Sequence, residues 1–188
     1  MSSPSLYHQT DTRIQSELQI IEKSKINPNH FAPLYNQYHE SIFRYIVKRV
    51  DDKESAYDIT SNVFVKALTN LHRYEFRGVP FSSWLFRIAK SELYQSFRDK
   101  KARRTVSIDK VIVADIFEEF EEPASEERKE FLMRALRVIN ERDLVLIELR
   151  YFEKRSYREI GEILSVTENN AKVKTFRALQ RLKKAYKK

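Results

Sequence analysis

The chain of 188 residues contains no cysteine, which excludes disulfides, thiolate nucleophiles and cysteine-based zinc sites and removes any need for an oxidising compartment. Two glycines and five prolines are too few for the many turns of a β-sandwich or for the glycine-rich loops that cradle phosphates. No run approaches the roughly 18 apolar residues of a membrane span, and the first residues, MSSPSLYHQTDTR, lack the apolar core of a signal peptide. His8, His30, His39 and His72 fall at no metal-ligand spacing, and no carboxylate cluster suits a hydrolytic metal centre. The expectation is an all-α, soluble, cytoplasmic protein with no membrane insertion, no cofactor, no metal and no catalytic residues.

Composition says that the chain folds: 41% of residues are hydrophobic and 12% aromatic, enough to build a core. Against 27 acidic residues stand 35 basic ones, a net charge of +8, and the excess is unevenly spread. Arg87 to Arg104 holds seven basic and two acidic residues, net +5. Asp109 to Glu130 reverses the sign with nine acidic and three basic residues, net −6. From Asn169 onward there are eight basic residues and no acid. Two basic modules joined by an acidic linker that contains Pro123 follow from this pattern, with three solvated helix faces as the plain alternative.

Phe31, Leu34, Tyr38, Ile42, Ile46 and Val50 recur every three or four residues, the period of a helix with one buried stripe from about His30 to Val50. Asp51 and Glu54 resemble a capping box opening a second helix that buries Ile59, Val63, Ala67 and Leu71. Gly78 and Pro80, between Phe76 and Phe81, predict a loop. A third helix is expected from Ser82 or Ser83 to about Arg103, with Trp84, Leu85, Ile88, Ala89, Leu93 and Phe97 inward. Its opposite side carries Arg87, Lys90, Ser91, Tyr94, Arg98 and Lys101, a cationic ridge suited to a phosphate backbone, where nearby aromatic rings could stack on an unpaired base. Trp84 itself is read as core.

Beyond the acidic stretch, Phe131, Leu132, Ala135, Leu136 and Ile139 begin another helix, and LVLIELRYF after Asp143 is apolar on most sides, as a central buried helix would be. Ser156 and Glu159 form an S-x-x-E capping box for a short helix with Ile160, Ile163 and Leu164 inside. Thr167 then caps a last helix that turns Ala171, Thr175, Ala178 and Leu182 inward and Lys172, Val173, Phe176, Arg177, Gln180 and Lys184 outward. Short helix, tight turn and basic second helix make a helix-turn-helix, whose second helix fits the major groove.

Four stretches, FAPLYNQYHESIFRYI (31–46), AYDITSNVFVKAL (56–68), FRGVPFSSWLFRIAKSELYQSFRDKKAR (76–103) and SYREIGEIL followed by VKTFRALQRLKKA (156–185), resemble in order and spacing a bacterial sigma factor of the extracytoplasmic-function type, the class of the sigma-70 family that keeps only regions 2 and 4. The resemblance implies an N-terminal extension (1–29), region 2 (30–104), an acidic linker (105–127) and region 4 (128–188), and a fold of two small helical bundles. It implies a subunit that binds core RNA polymerase, recognises promoter DNA and helps open it. Polymerase contacts map onto Asp58, Ser61, Asn62 and Phe64, although the family commonly has Gln and Glu where this chain has Ser61 and Asn62. Capture of the minus-ten strand maps onto Phe76, Arg77 and Pro80 in the loop and Arg87, Lys90, Ser91 and Arg98 on the helix. Reading of the minus-thirty-five element maps onto Lys172, Lys174, Phe176 and Arg177, with Arg181 and Lys184 on phosphates. The linker is either a solvated tether, the favoured reading, or a segment threading toward the polymerase's RNA path. An anti-sigma protein covering both DNA faces is the further partner the resemblance allows.

A stand-alone helix-turn-helix regulator is the alternative; it accounts for the last helix and leaves the first basic helix and its aromatic loop unused. A nuclease or other metalloenzyme would need ligand clusters the sequence does not display.

Overall fold

The computed structural model describes residues 11–107, 110–123 and 125–187. His8, Asp109, Lys188 and the first ten residues of the N-terminal extension lie outside the described residues. The chain divides into two compact units, 1–105 and 106–188. Among the described residues the secondary structure is helical, and Val50 with Arg104 forms an isolated antiparallel bridge.

The first unit holds α1 (Asp11–Ile26), a short 3-10 turn (Pro28–Phe31), α2 (Ala32–Val47), α3 (Lys53–Asn70) and α4 (Phe81–Arg98). The apolar stripes meet as their period demands: Leu34, Ile42 and Ile46 of α2, Ala56, Val63 and Ala67 of α3, and Leu85, Ala89 and Leu93 of α4 are buried. The cap of α3 is Asp52 rather than Asp51, since the Asp52 carboxylate accepts the Ser55 amide at 2.7 Å. Asp51 instead accepts from the Arg103 amide at 3.2 Å. α4 stops at Arg98, short of the expected Arg103, because Lys100 turns to φ 55° and the chain runs back to Val50. Its inward face is also rotated from the expected one: Ser82, Ser83, Phe86 and Ser96 are buried, while Trp84, Ile88 and Phe97 are half-buried.

The second unit holds α5 (Lys110–Phe120), α6 (Glu126–Val138), α7 (Glu141–Ile147), a π-helical turn (Glu148–Phe152), α8 (Tyr157–Leu164) and α9 (Glu168–Tyr186). α7 and the π turn are the buried centre, with Leu144 through Leu149 all enclosed, Glu148 included. The segment expected as an acidic linker differs most from a solvated tether. Ile112, Val113, Ile116, Phe117 and Phe120 on α5 are buried, and Phe117 and Phe120 pack on Tyr186 with ring centroids 5.7 and 5.5 Å apart. Its acids turn to the bases of this unit, Asp115 pairing with Lys154 and Glu122 lying 3.7 Å from Lys187, and its backbone is held too, Lys183 donating to the Phe120 carbonyl at 2.8 Å.

Candidate nucleic-acid interface

The helix-turn-helix is assembled from local interactions. Ser156 and Glu159 close a reciprocal capping box, the Ser156 amide donating to Glu159 Oε2 at 2.9 Å and the Glu159 amide to Ser156 Oγ at 3.2 Å. The other Glu159 oxygen accepts from Arg155 Nη1 at 3.0 Å inside the unit, which leaves no buried carboxylate unpaired at this helix start. α8 ends on Ser165 in the left-handed conformation, φ 57°. The chain then folds back so closely that the Val166 amide donates to the Gly161 carbonyl at 2.9 Å, and a Cβ on Gly161 would lie 2.8 Å from the Val166 oxygen. Only glycine fits there. Thr167 restarts the helix, its hydroxyl accepting from the Asn170 amide at 3.2 Å.

α9 therefore leaves the turn in a fixed direction, with Ala171, Thr175, Ala178, Leu179 and Leu182 buried. Lys172, Lys174, Phe176, Arg177, Arg181 and Lys184 are all exposed, Phe176 to 62%. They form one outward surface, but two residues of helix turn through roughly 200°, so Lys172 and Lys174 stand on opposite flanks of it. Arg181 has a partner that the sequence did not reveal: it grips the buried carboxylate of Asp143 from α7 with two hydrogen bonds.

In the first unit the loop from Glu75 to Pro80 joins the 3-10 turn Leu71–Arg73 to α4. Gly78 makes the bend with φ 73°, a conformation that costs glycine nothing. Val79 is tucked in, while Phe76 is 42% exposed and Arg77 exposed. Beneath the loop Tyr74, Phe81 and Trp84 form a ring cluster, with centroids between 5.1 and 5.4 Å apart. Trp84 is half-buried there, neither core nor free surface. Arg87, Lys90, Ser91 and Arg98 share one side of α4 by their spacing; Ser91 and Arg98 are exposed, and Arg87 and Lys90 half-buried. Burial, and then the neighbouring Arg87, pull the Lys90 ammonium below the usual lysine range.

On α3, Asp58, Ser61 and Asn62 are exposed together and line a cleft of about 420 Å³ whose far wall includes Glu92 and Gln95 of α4. Phe64 does not join them: it is 5% exposed and packs edge-on against Tyr35, ring centroids 4.8 Å apart. The apolar residue on that face is Val65, 62% exposed, seven residues after Asp58 and three after Asn62. Val65 ends the apolar run Val63-Phe64-Val65, and a run of that kind carries no sequence signal for which of its members faces outward.

Residues 34–103 match the Sigma-70 region 2 family and residues 135–184 the Sigma-70 region 4 family. The RNA polymerase sigma factor YlaC of Bacillus subtilis is 33% identical over 156 residues, covering 80% of this chain and 88% of that one. The ECF RNA polymerase sigma factor BldN of Streptomyces coelicolor is 27% identical over 168 residues; the match covers 88% of this chain and 64% of BldN. Among solved structures, the sigma factor RpoE of Bartonella quintana, in complex with the anti-sigma factor NepR, superposes with a TM-score of 0.58 at 17% identity, covering 84% of this chain and 96% of that one, a likeness of fold. Two bundles in the order region 2 then region 4, each with its basic helix turned outward, and a relative at this level of identity lead to one conclusion: the chain belongs to the extracytoplasmic-function sigma factors of the sigma-70 family.

Proposed function

We propose that this chain directs core RNA polymerase to promoters by holding DNA at two surfaces, α9 at the minus-thirty-five element and the 75–80 loop with α4 at the minus-ten element. The observation that carries the reading is the outward side of α9. It presents lysine, arginine and an exposed phenylalanine with no acid after Glu168, on a helix whose entry angle is fixed by a turn that admits only glycine at position 161. A helix so mounted reaches base edges from its N-terminal half and phosphates from its C-terminal half.

Opening is assigned to the first unit. Extruding a base costs a few kcal/mol, and stacking on an aromatic ring returns about 1–3 kcal/mol per base. Phe76 is the exposed ring of the loop, and Arg77, Pro80, Arg87, Lys90, Ser91 and Arg98 supply the walls and the charge. The chain's part is binding rather than bond chemistry, and it would act in the cytoplasm, where promoters and polymerase meet. Asp58, Ser61 and Asn62, with Val65, are the surface assigned to polymerase; Phe64 supports it from beneath. As RpoE does in its complex with NepR, this chain would be held by an anti-sigma protein, one that covers both DNA surfaces.

Run-off transcription with core polymerase, with and without the chain, tests the reading. A promoter-specific transcript that depends on the chain is expected; a holoenzyme no more selective than bare polymerase would overturn it. Dimeric binding to duplex operators without polymerase would favour a stand-alone regulator, a reading that leaves the loop and α4 without use.

A further inference from the structure

Helix α1 lies outside the span matched to region 2, which begins at residue 34, yet two of its side chains hold the two ends of the loop. Glu17 is 5% exposed. Its Oε2 accepts the Phe81 amide, the first N–H of α4, at 3.0 Å, while its Oε1 accepts from the Tyr38 hydroxyl and from Gln37 Nε2. Two turns further along, Lys25 Nζ donates to the Tyr74 carbonyl at 3.0 Å. Tyr74 and Phe81 bracket the six residues from Glu75 to Pro80.

These contacts do different work. The start of α4 has Pro80 at its cap position and no side-chain cap of its own, so its first donors need an acceptor from elsewhere. A carboxylate at a helix N-terminus meets both the free N–H groups and the positive end of the dipole. Lys25 fixes the other end through a carbonyl. Eight residues separate the two along α1, roughly 12 Å of helix at 1.5 Å per residue, so one rigid rod sets the spacing of both anchors.

We propose that α1 is a clasp for the strand-capturing loop: Glu17 and Lys25 are positioning residues that hold Phe76 and Arg77 ready for an unpaired base. The role rests on the strand-capture reading given above. A loop whose ends are already fixed gives up less conformational entropy on binding, so releasing them weakens capture without removing any group that touches DNA.

The test uses the full chain and its holoenzyme with core polymerase, comparing Glu17→Ala, Glu17→Gln and Lys25→Met. In the free chain, hydrogen exchange at the Phe81 amide and at Glu75 to Val79 is expected to rise about tenfold in Glu17→Ala, in keeping with the loss of a charge-assisted bond. Glu17→Gln is expected to restore most of the protection, since its amide oxygen still accepts from Phe81. In the holoenzyme, capture of a single-stranded minus-ten oligonucleotide is expected to weaken about tenfold in Glu17→Ala and severalfold in Lys25→Met, with affinity for core polymerase unchanged. A purely structural role would lower strand capture and polymerase affinity together, and that result overturns the clasp, as does unchanged exchange in both Glu17→Ala and Lys25→Met. If Glu17→Ala fails to fold, Lys25→Met decides the matter through exchange at Glu75 to Val79 and strand capture, since it removes the other anchor alone. Wild-type holoenzyme that captures no strand would sink the functional reading instead, and the exchange experiment on the free chain would still report on the two anchors.

Discussion

Arg181 and Asp143 are bound side by side: Nε and Nη2 of the guanidinium reach the two carboxylate oxygens at 2.5 and 2.6 Å. Asp143 is buried and near the start of α7, where the Asn140 cap also donates to it at 2.5 Å; Arg181 is on the outer side of α9. The pair ties α9 to the centre of its unit and fixes its rotation.

Arg181→Ala leaves the carboxylate buried with one partner fewer, and a loss of about 1–3 kcal/mol in denaturant unfolding at neutral pH is expected. The hydrogen bond from Arg181 holds the Asp143 carboxyl below its usual range, burial opposing it. A group so lowered contributes stability above its unfolded value, about 3.9, and the contribution fades as pH falls through the folded value. The gap between wild type and Arg181→Ala should therefore close as the pH is taken below 4. A gap that stayed constant down to pH 3 would mean that the carboxylate is not what the arginine stabilises.

Gly161→Ala puts a methyl group 2.8 Å from the Val166 carbonyl, and backbone cannot swing aside as a flexible side chain can. A loss of about 1–3 kcal/mol is expected, together with weaker binding to minus-thirty-five duplexes, because the turn must widen and α9 must tilt. Circular dichroism melts and duplex binding on the same variant check both halves.

Lys172→Ala and Arg177→Ala are expected to cost about 1–3 kcal/mol at particular base pairs and little elsewhere, whereas Lys184→Ala weakens all sequences alike and lowers the salt slope by about one. Holoenzyme binding to a promoter series with single base-pair changes separates the patterns. Equal losses on every sequence for all three variants would reduce α9 to a phosphate clamp.

Phe120→Ala removes a ring that is 1% exposed and packed on Phe117 and Tyr186. The loss falls on one helix, so faster hydrogen exchange from Ile112 to Phe120 is expected while Leu136 and Leu182 keep their protection. Exchange rising equally throughout the second unit would show that α5 is part of its cooperative core.

Legibility in the sequence followed locality. The Ser156–Glu159 box, the Thr167 cap and the two sides of α9 are written within a few residues of themselves, and the structure has each of them. The Asp51 cap slipped by one residue because two adjacent aspartates offer the same chemistry, and only the return of the chain at Arg103 chooses between them. The α5 helix was hidden by its charge: the acids of 109–130 dominate any count, although Ile112, Val113, Ile116, Phe117 and Phe120 keep helical spacing. Glu17 gave no signal at all. Its partners lie 20 to 64 residues away, and a glutamate on a weakly apolar helix reads as solvent-facing until the fold brings Phe81 to it. Asp143 and Arg181, 38 residues apart, were missed for the same reason.

The sole tryptophan of the chain stands in the ring cluster at the foot of the loop, half-buried against Tyr74 and Phe81. The protein thus carries a built-in optical gauge. Light at the red edge of indole absorption excites Trp84 and none of the ten tyrosines, so the colour and brightness of that single emitter report any change in the packing of the ring cluster in real time, with no dye attached.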